Sequence, residues 1–445
     1  MRAAGIIPCG AFSQKGAHLI MGAIEFSKKL EPKGEYDVIV CGGGIAGVSA
    51  ALSAKERGKS TLLIEKSILL GGLATLGLIN LFVPLCNGRG KQIIFGRCER
   101  WVRESAKYGY DTIPTAWKDG EPKEPTEARY VSWFSPYIFA AQLTEEVAEA
   151  GIDLKFDCNA IEPVMDGNVC RGVVVLTKGG IEYYTCKMLI DTTGDLDVMR
   201  RAGVPHTPGK NFATYMGKEI TLEGCKRAVE EKNIYHAIKH VCGYNATLFG
   251  TNQPEGVPLW PGLTEEDVSD YVIRNQRKML DGIKGDERLS RDVVSLPLMP
   301  QFRTSCHLVG DYTFTENDAY RHFEDSVCAI NDFEHRDYLY EVPLRALCRR
   351  DYPNMITAGR SASAEGYGWD VIRVIPPAIL TAQAAANAAC LAIDSGCAVA
   401  DVDICRLQKM LEEEDVMIHF PDEYVPADAR FKLHEGAAEI EGGHI

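Results

Sequence analysis

Three groups of residues in this chain of 445 have types and spacings that could do chemistry. The first is Gly42, Gly44 and Gly47 in "YDVIVCGGGIAGVSAAL", with Glu65 closing "STLLIEK". In such a Gly-x-Gly-x-x-Gly turn the first glycine permits the tight bend and the second lets a pyrophosphate approach the backbone. The third lets helix pack on strand, and an acid ~20 residues on binds a ribose hydroxyl. Free N–H groups and the dipole at the helix start favour the pyrophosphate. Strand, turn, helix, strand and acid arrive in that order, which predicts a dinucleotide site.

The second group is cationic. "RTSCHLVG" offers Arg303 and His307, which share a face four residues apart on a helix and also on a strand. Such a pair binds a carboxylate or hydroxyl and moves a proton. His335 and Arg345, in "DFEHRDYLYEVPLRAL", lie where the chain is expected to cross between domains, a usual place for a site. Arg373 stands just before "VIPPAIL", placed to touch a substrate or a cofactor carbonyl. Each has a structural alternative: Arg303 pairing with Asp311 or Glu316, a hydrogen-bonded role for His335, a loop-anchoring salt bridge at Arg373.

The third group is set aside on spacing. Cys86 lacks the second cysteine, separated by four residues, that a disulfide reductase needs, so it reads as a packed or reactive single thiol. His236 and His240 have the i, i+4 spacing of a metal-binding helix face but no third ligand nearby, and no metal is expected.

Two later segments choose the nucleotide. "LIDTTGDLD" reads as a strand running into the small residues Thr193 and Gly194, and "MITAGRSAS" as a strand ending at Gly359. The helix after the latter starts near Pro376 and Pro377. A second helix N-terminus aimed at the same ligand suits a flavin ring, which gains negative charge on reduction. No second Gly-x-Gly-x-x-Gly occurs, so no separate NAD(P)H domain is expected. FAD is therefore the expected cofactor.

The elements that must position these residues follow from pattern. Residues 1–33 read as an N-terminal extension and 34–205 as the first part of a nucleotide-binding domain. Residues 206–340 read as an inserted, mainly helical or mixed substrate domain. Residues 341–400 complete the nucleotide domain, and 401–445 form a helix and an acidic tail. "SPYIFAAQLTEEVAEAG" is helical, with Pro136 near its start. The run from Asp153 to Asp195 is a meander of short strands. "ITLEGCKRAVEEKNIYHAIKHVC" and "TEEDVSDYVIRNQRKMLDGI" read as helices.

Composition bounds the partners. A net charge of -14 argues against nucleic acid, and 46% apolar with 25% charged residues is ordinary for a globular chain. No stretch reads as the ~18 apolar residues of a membrane span, and no secretory signal is evident. Fifteen scattered cysteines without paired spacing suggest reduced thiols and a cytoplasmic location.

With these segments in hand, a resemblance is specific. "YDVIVCGGGIAGVSAAL", "LLIEKSILLGGLATLGL", "MLIDTTGDLDV", "PQFRTSCHLVGDYTFT", "NMITAGRSASAEG" and "IRVIPPAILTAQAAANAA" resemble, in that order, the FAD-dependent oxidoreductase family often titled FAD_oxidored. The resemblance spans roughly Glu35 to Met410. It implies an α/β, Rossmann-type, glutathione-reductase-like FAD fold, a parallel sheet plus an antiparallel meander. It further implies FAD contacts at Gly42, Gly44, Ala46, Glu65, Lys66, Gly72, Thr75, Ala160, Thr193, Gly194, Gly359 and Arg360, with the Gln383 helix closing over the flavin. Cys306, "AQAAANAA" and the aromatic Tyr367 and Trp369 depart from the family's usual pattern and touch the substrate side.

The expectation is an oxidoreductase passing hydride between a small organic substrate and flavin N5. The arginines hint at an anionic substrate, and Tyr367 with Trp369 at a ring or sugar. The second half-reaction would use a small acceptor, oxygen, transient NAD(P)H or a partner protein, and a homo-oligomer is possible. The rivals are a flavin-dependent isomerase or lyase without net redox, and an FAD subunit of an electron-transfer complex.

Overall fold

Val38, Ile39 and Val40 have no solvent exposure, because their strand is covered on both faces as the centre of a parallel sheet must be. A computed structural model describes residues 25–427. That strand, β1 (Pro32–Cys41), leads through the glycine turn into α1 (Ile45–Glu56) and on to β2 (Thr61–Ile64). β2 pairs parallel to β1, and β3 (Asp153–Lys155) pairs parallel to β2 at the edge. β4 (Asn159–Asp166), β5 (Val169–Thr177) and β6 (Gly180–Asp191) form the antiparallel meander. The architecture is mixed α/β around a seven-stranded, largely parallel sheet.

The 12-residue β6 holds this sheet together by changing partners along its length. Its first half pairs antiparallel with β5, while Leu189, Ile190 and Asp191 pair parallel with a strand from far along the chain (Met355–Thr357). Asn354 bridges the divergence, donating to the carbonyls of Cys170 and Lys187 and accepting from the Cys170 N–H. Three strand ends, at Cys41, Asp191 and Thr357, are thereby aligned on one edge.

A second, smaller sheet lies apart from the first. β7 (Thr214–Thr221) pairs antiparallel with β8 (Ile238–Asn245) and β9 (Arg291–Ser295). Between them run the helices α2 (Leu222–Glu231) and α3 (Glu265–Ile283), and a separate apolar cluster of Tyr215, Trp260, Tyr271 and Phe302 fills the interior. Finally α4 (Ile375–Ser395), with prolines in its first turn and Gly396 in the left-handed conformation at its end, packs along α1. The Ser49 hydroxyl donates to the Ile379 carbonyl between them.

Several sequence expectations change. β1 begins at Pro32, inside the expected extension, because Pro32 and Gly34 already pair with β6; residues 1–24 and 428–445, with the acidic tail, lie outside the described residues. Asp153–Lys155 joins the parallel sheet instead of the meander. The expected helix through "IYHAIKH" stops at Lys232, which takes a left-handed φ of 52°, and the chain then pairs with β7 as a strand. His236 and His240 consequently share no helix face. By length and composition α4 does qualify as a membrane-crossing helix, against the expectation that no stretch would. It is nevertheless 94% buried within the protein.

The β1–α1 contact depends on one missing atom. A Cβ on Gly47 would sit 1.7 Å from the Gly42 carbonyl oxygen, and one on Gly42 would sit 2.5 Å from the Thr192 oxygen. Both obstacles are backbone and cannot swing aside. We expect Gly47→Ala to destabilise the fold by ~3 kcal/mol or more, as over-packing against an immobile group does, measured as a lowered urea midpoint. An unchanged midpoint would contradict the packing described.

Candidate active site

The aligned strand ends open onto a cavity of about 420 Å³. Its floor is the glycine turn. Gly44 caps α1 without any side-chain hydrogen bond, the first turn holds no acid, and a Cβ at Gly44 would meet nothing within 4 Å. Unpaired N–H groups at a helix start facing open space make a seat for an anion. Gly42, Gly44 and Ala46 line this cavity, while Gly47 lies behind it in the strand–helix contact.

Glu65 reaches the cavity at its expected place and carries a structural load as well. One carboxylate oxygen accepts from the Gly43 N–H and the other from the Ser67 N–H, both at 2.7 Å. It therefore ties the glycine turn to the end of β2, and each oxygen keeps a lone pair for a hydroxyl. Lys66 lines the rim beside it. Gly72 follows the left-handed Gly71, and its chain is stitched to the glycine turn by the Gly71 N–H to Gly43 carbonyl bond of 2.9 Å. Thr75 is fully buried with its hydroxyl donating to the Leu70 carbonyl, so it holds this turn from behind the cavity wall.

Ala160, Thr193 and Gly194 line the next stretch. Thr193 is placed by Asp191, which is not among the residues expected from the sequence. This fully buried carboxylate accepts from the Thr193 N–H and hydroxyl and from the N–H groups of Val198 and Met199. Burial pushes its carboxyl above the usual range, opposed by those bonds. Its sequence signal was a lone acid ending an apolar strand before small residues.

Gly359, at φ 68°, closes the far side where α1 and α4 meet; a Cβ there would lie 3.3 Å from that of Ala378 and 3.4 Å from that of Ala46. Arg360 lines the cavity too, yet each of its three guanidinium nitrogens already has a partner. It donates to the carbonyls of Gly194 (2.7 Å) and Phe302 (2.6 Å) and pairs with Asp195 (2.7 Å). It is a clamp joining three segments of chain.

Two of the five expected catalytic side chains arrive at one end of the cavity. Arg373 pairs with Asp370 through Nε and Nη2, leaving Nη1 without a partner among the described residues. Among the described residues Arg303 pairs with no carboxylate, neither Asp311 nor Glu316; its Nη1 donates to the Thr214 hydroxyl (3.1 Å) and the Ala246 carbonyl (3.2 Å). Burial, and then the neighbouring Arg373, hold its guanidinium down at about 10. Two guanidiniums thus stand near one carboxylate, Asp370, which pairs with Arg373 and acts on Arg303 only through space. Leu76, Leu298, Met299 and Phe302 supply an apolar wall around them.

The other three expected residues lie elsewhere. His307 is buried, its Nδ1 donating to the Leu308 carbonyl and its ring edge-on to Trp369; burial lowers its basicity, so it stays neutral as packing. His335 sits against Tyr338 and Tyr367, outside the cavity lining. Arg345 pairs with Asp325 at 2.8 Å on an exposed face. Nor do Tyr367 and Trp369 face the cavity: Tyr367 donates to Asp332 and Trp369 to the Arg360 carbonyl. Cys86 is a buried thiol accepting from the Tyr130 N–H.

Comparison with known proteins places the chain. The family model described as FAD dependent oxidoreductase matches residues 37–251 and 231–411. The digeranylgeranylglycerophospholipid reductase of Methanoculleus marisnigri is 29% identical over 201 residues, 43% of this chain and 48% of that protein. The protein of the same name from Methanospirillum hungatei is 32% identical over 154 residues, 34% of this chain and 35% of that one. The match thus takes in about half the length, or less, of these curated relatives. Among solved structures, a geranylgeranyl bacteriochlorophyll reductase-like protein from Thermoplasma acidophilum aligns with a TM-score of 0.44 at 14% identity, over 88% of this chain and 94% of that one. With the family model spanning most of its length and the glycine turn, acid and second helix start gathered on one cavity, the chain belongs to the FAD dependent oxidoreductase family.

Proposed function

We propose that this protein holds one FAD in the 420 Å³ cavity and exchanges hydride between flavin N5 and a small anionic organic substrate. The observation that carries the substrate side is the charge at one end: Arg303 and Arg373 against the single carboxylate of Asp370. A bound carboxylate would complete that balance. The relatives named as lipid reductases match over at most 201 residues, so the substrate is read from this chain's own side chains.

The residues present fit the cofactor. The open face at Gly44 and the free N–H groups of the first turn of α1 would receive the diphosphate. Glu65 would accept from a ribose hydroxyl, and Ala160 would flank the nucleotide end. Thr193, Gly194 and Gly359 would let the backbone close on the ligand, and the N-terminus of α4, at Ile375 and Ala378, would face the electron-rich edge of the ring. Bound there, the flavin would supply the hydride acceptor or donor. The chain's own part is to bind the substrate's negative charge through the unpartnered N–H groups of Arg303 and Arg373. Leu76, Met299 and Phe302 exclude water, which strengthens those contacts.

The finer fold reading belongs with this proposal: a Rossmann-type, glutathione-reductase-like FAD domain from residues 34–205 and 341–400, with 206–340 as the substrate cap. The separate apolar cluster of the smaller sheet supports the division. A cytoplasmic location fits the 14 free cysteines among the described residues.

Purified protein should be yellow and should bleach when its substrate is added without oxygen. Colourless protein that takes up no FAD on reconstitution would overturn the reading. Gly44→Ala separates binding from folding. Its stability should stay within about 1 kcal/mol of wild type, since the new carbon meets nothing and only the cap preference changes, while FAD affinity drops at least tenfold in a fluorescence titration. Arg373→Ala should retain FAD yet lose ~10- to 100-fold in kcat/KM, the value of a charge-assisted bond; wild-type kinetics would remove Arg373 from the substrate site.

A further inference from the structure

A second chamber of about 200 Å³ lies outside the flavin cavity, between the smaller sheet and the side chains of Asn80, Tyr110 and Trp133. Lys218 on β7 and His240 on β8 are register partners, so they project from the same face of that sheet. Lys218 is only 7% exposed. Its Nζ lies 2.7 Å from His240 Nε2 and 5.5 Å from the centre of the Trp133 ring. Burial holds His240 near 4, so the imidazole is neutral and accepts from the ammonium. Burial also brings Lys218 down to about 8, which still leaves it charged at neutral pH.

What marks this chamber is an unbalanced charge. The other basic side chains lining it each face a carboxylate: Arg227 and His236 share Glu231 (2.7 and 2.9 Å), and Lys239 meets Glu223 (3.0 Å). Lys218, the most deeply buried of them, forms no ion pair with any carboxylate among the described residues. A buried ammonium costs several kcal/mol unless an anion or a full set of acceptors meets it. Here one acceptor and one ring face meet three N–H donors.

We propose that this chamber is a second binding site, for a carboxylate carried on a small flat aromatic body. One lysine balances one negative charge, which favours a monoanionic carboxylate over a phosphate. Tyr110 and Tyr235, whose ring centres are 4.8 Å apart, and Trp133 offer ring faces and edges to a planar ligand. The chamber is tied to the flavin cavity at two points. Trp133 packs in the same apolar cluster as Val374, the residue after Arg373, and β7 begins at Thr214, which receives the Arg303 guanidinium. The inference itself stands on the unpaired lysine and does not need the flavin reading.

The test uses the full chain with excess FAD and calorimetric titration with benzoate, taking benzamide as a neutral ligand of the same shape. Benzoate should bind with a Kd of about 1 mM or tighter, and benzamide at least tenfold more weakly. Lys218→Met should weaken the Lys218-dependent benzoate binding at least tenfold, and Arg373→Ala should leave that binding unchanged even where it removes a second equivalent held in the flavin cavity. In the wild-type protein, benzoate but not benzamide should protect Lys218 from reductive methylation, read by peptide mass spectrometry without any variant. Absence of benzoate binding, equal binding in Lys218→Met, or an unprotected Lys218 would each overturn the site. Loss in Arg373→Ala with retention in Lys218→Met would place benzoate in the flavin cavity and overturn it equally.

Discussion

The contact between the Gly42 carbonyl and the bare Cα of Gly47 sets the rest of the molecule. It lets α1 begin directly against the end of β1, with its unpaired N–H groups turned outward instead of shielded by a side chain. Because α1 is buried through most of its length, its position then dictates that of α4, and through Gly359 the width of the cavity. The alanines and serines along α1 and α4 serve the same end: small side chains allow two helix axes to approach closely. α4 is apolar enough to cross a bilayer for the same reason that it is buried, since nearly every face of it meets protein.

Charge is distributed with a comparable economy. The chain as a whole carries -14, yet among the described residues its cavity ends in two guanidiniums and one carboxylate, and its second chamber holds a lysine paired with none. Elsewhere arginine is used as a fastener. Arg360 uses all three nitrogens on Gly194, Asp195 and Phe302, and Arg57 all three on Asn387, Met410, Glu413 and Glu414. The contrast gives unsaturated donors their meaning. A guanidinium whose three nitrogens all have partners is scaffolding, and one with an unpartnered nitrogen beside an apolar wall is available to a ligand.

What the sequence made legible was local. The glycine turn, Glu65, the small residues at Thr193–Gly194 and the proline-started α4 are each decided within a few residues, and they converge on one cavity. What it hid was decided by distant partners. "IYHAIKH" has helical spacing, but pairing with β7 outweighs that propensity and puts His240 opposite Lys218 on a strand. Arg303 and His307 share the spacing of one face, yet the strand there covers only Cys306–Leu308, so the two side chains diverge. Nothing local distinguishes Arg345, paired with Asp325, from Arg373, whose partner Asp370 is three residues away and whose neighbour Arg303 comes from a distant segment.

This difference has a physical origin. A nucleotide's diphosphate is recognised mainly by backbone, so its site leaves a sequence pattern of residues that must be small. A substrate is recognised by side chains brought together from separate segments, here residues near 214, 246, 303 and 373, and no spacing rule joins them. The same logic explains why the chamber at Lys218 carries no motif. Its walls come from Asn80, Tyr110 and Trp133 on one side and from two paired strands on the other, and only the folded sheet shows that the lysine between them meets no carboxylate among the described residues.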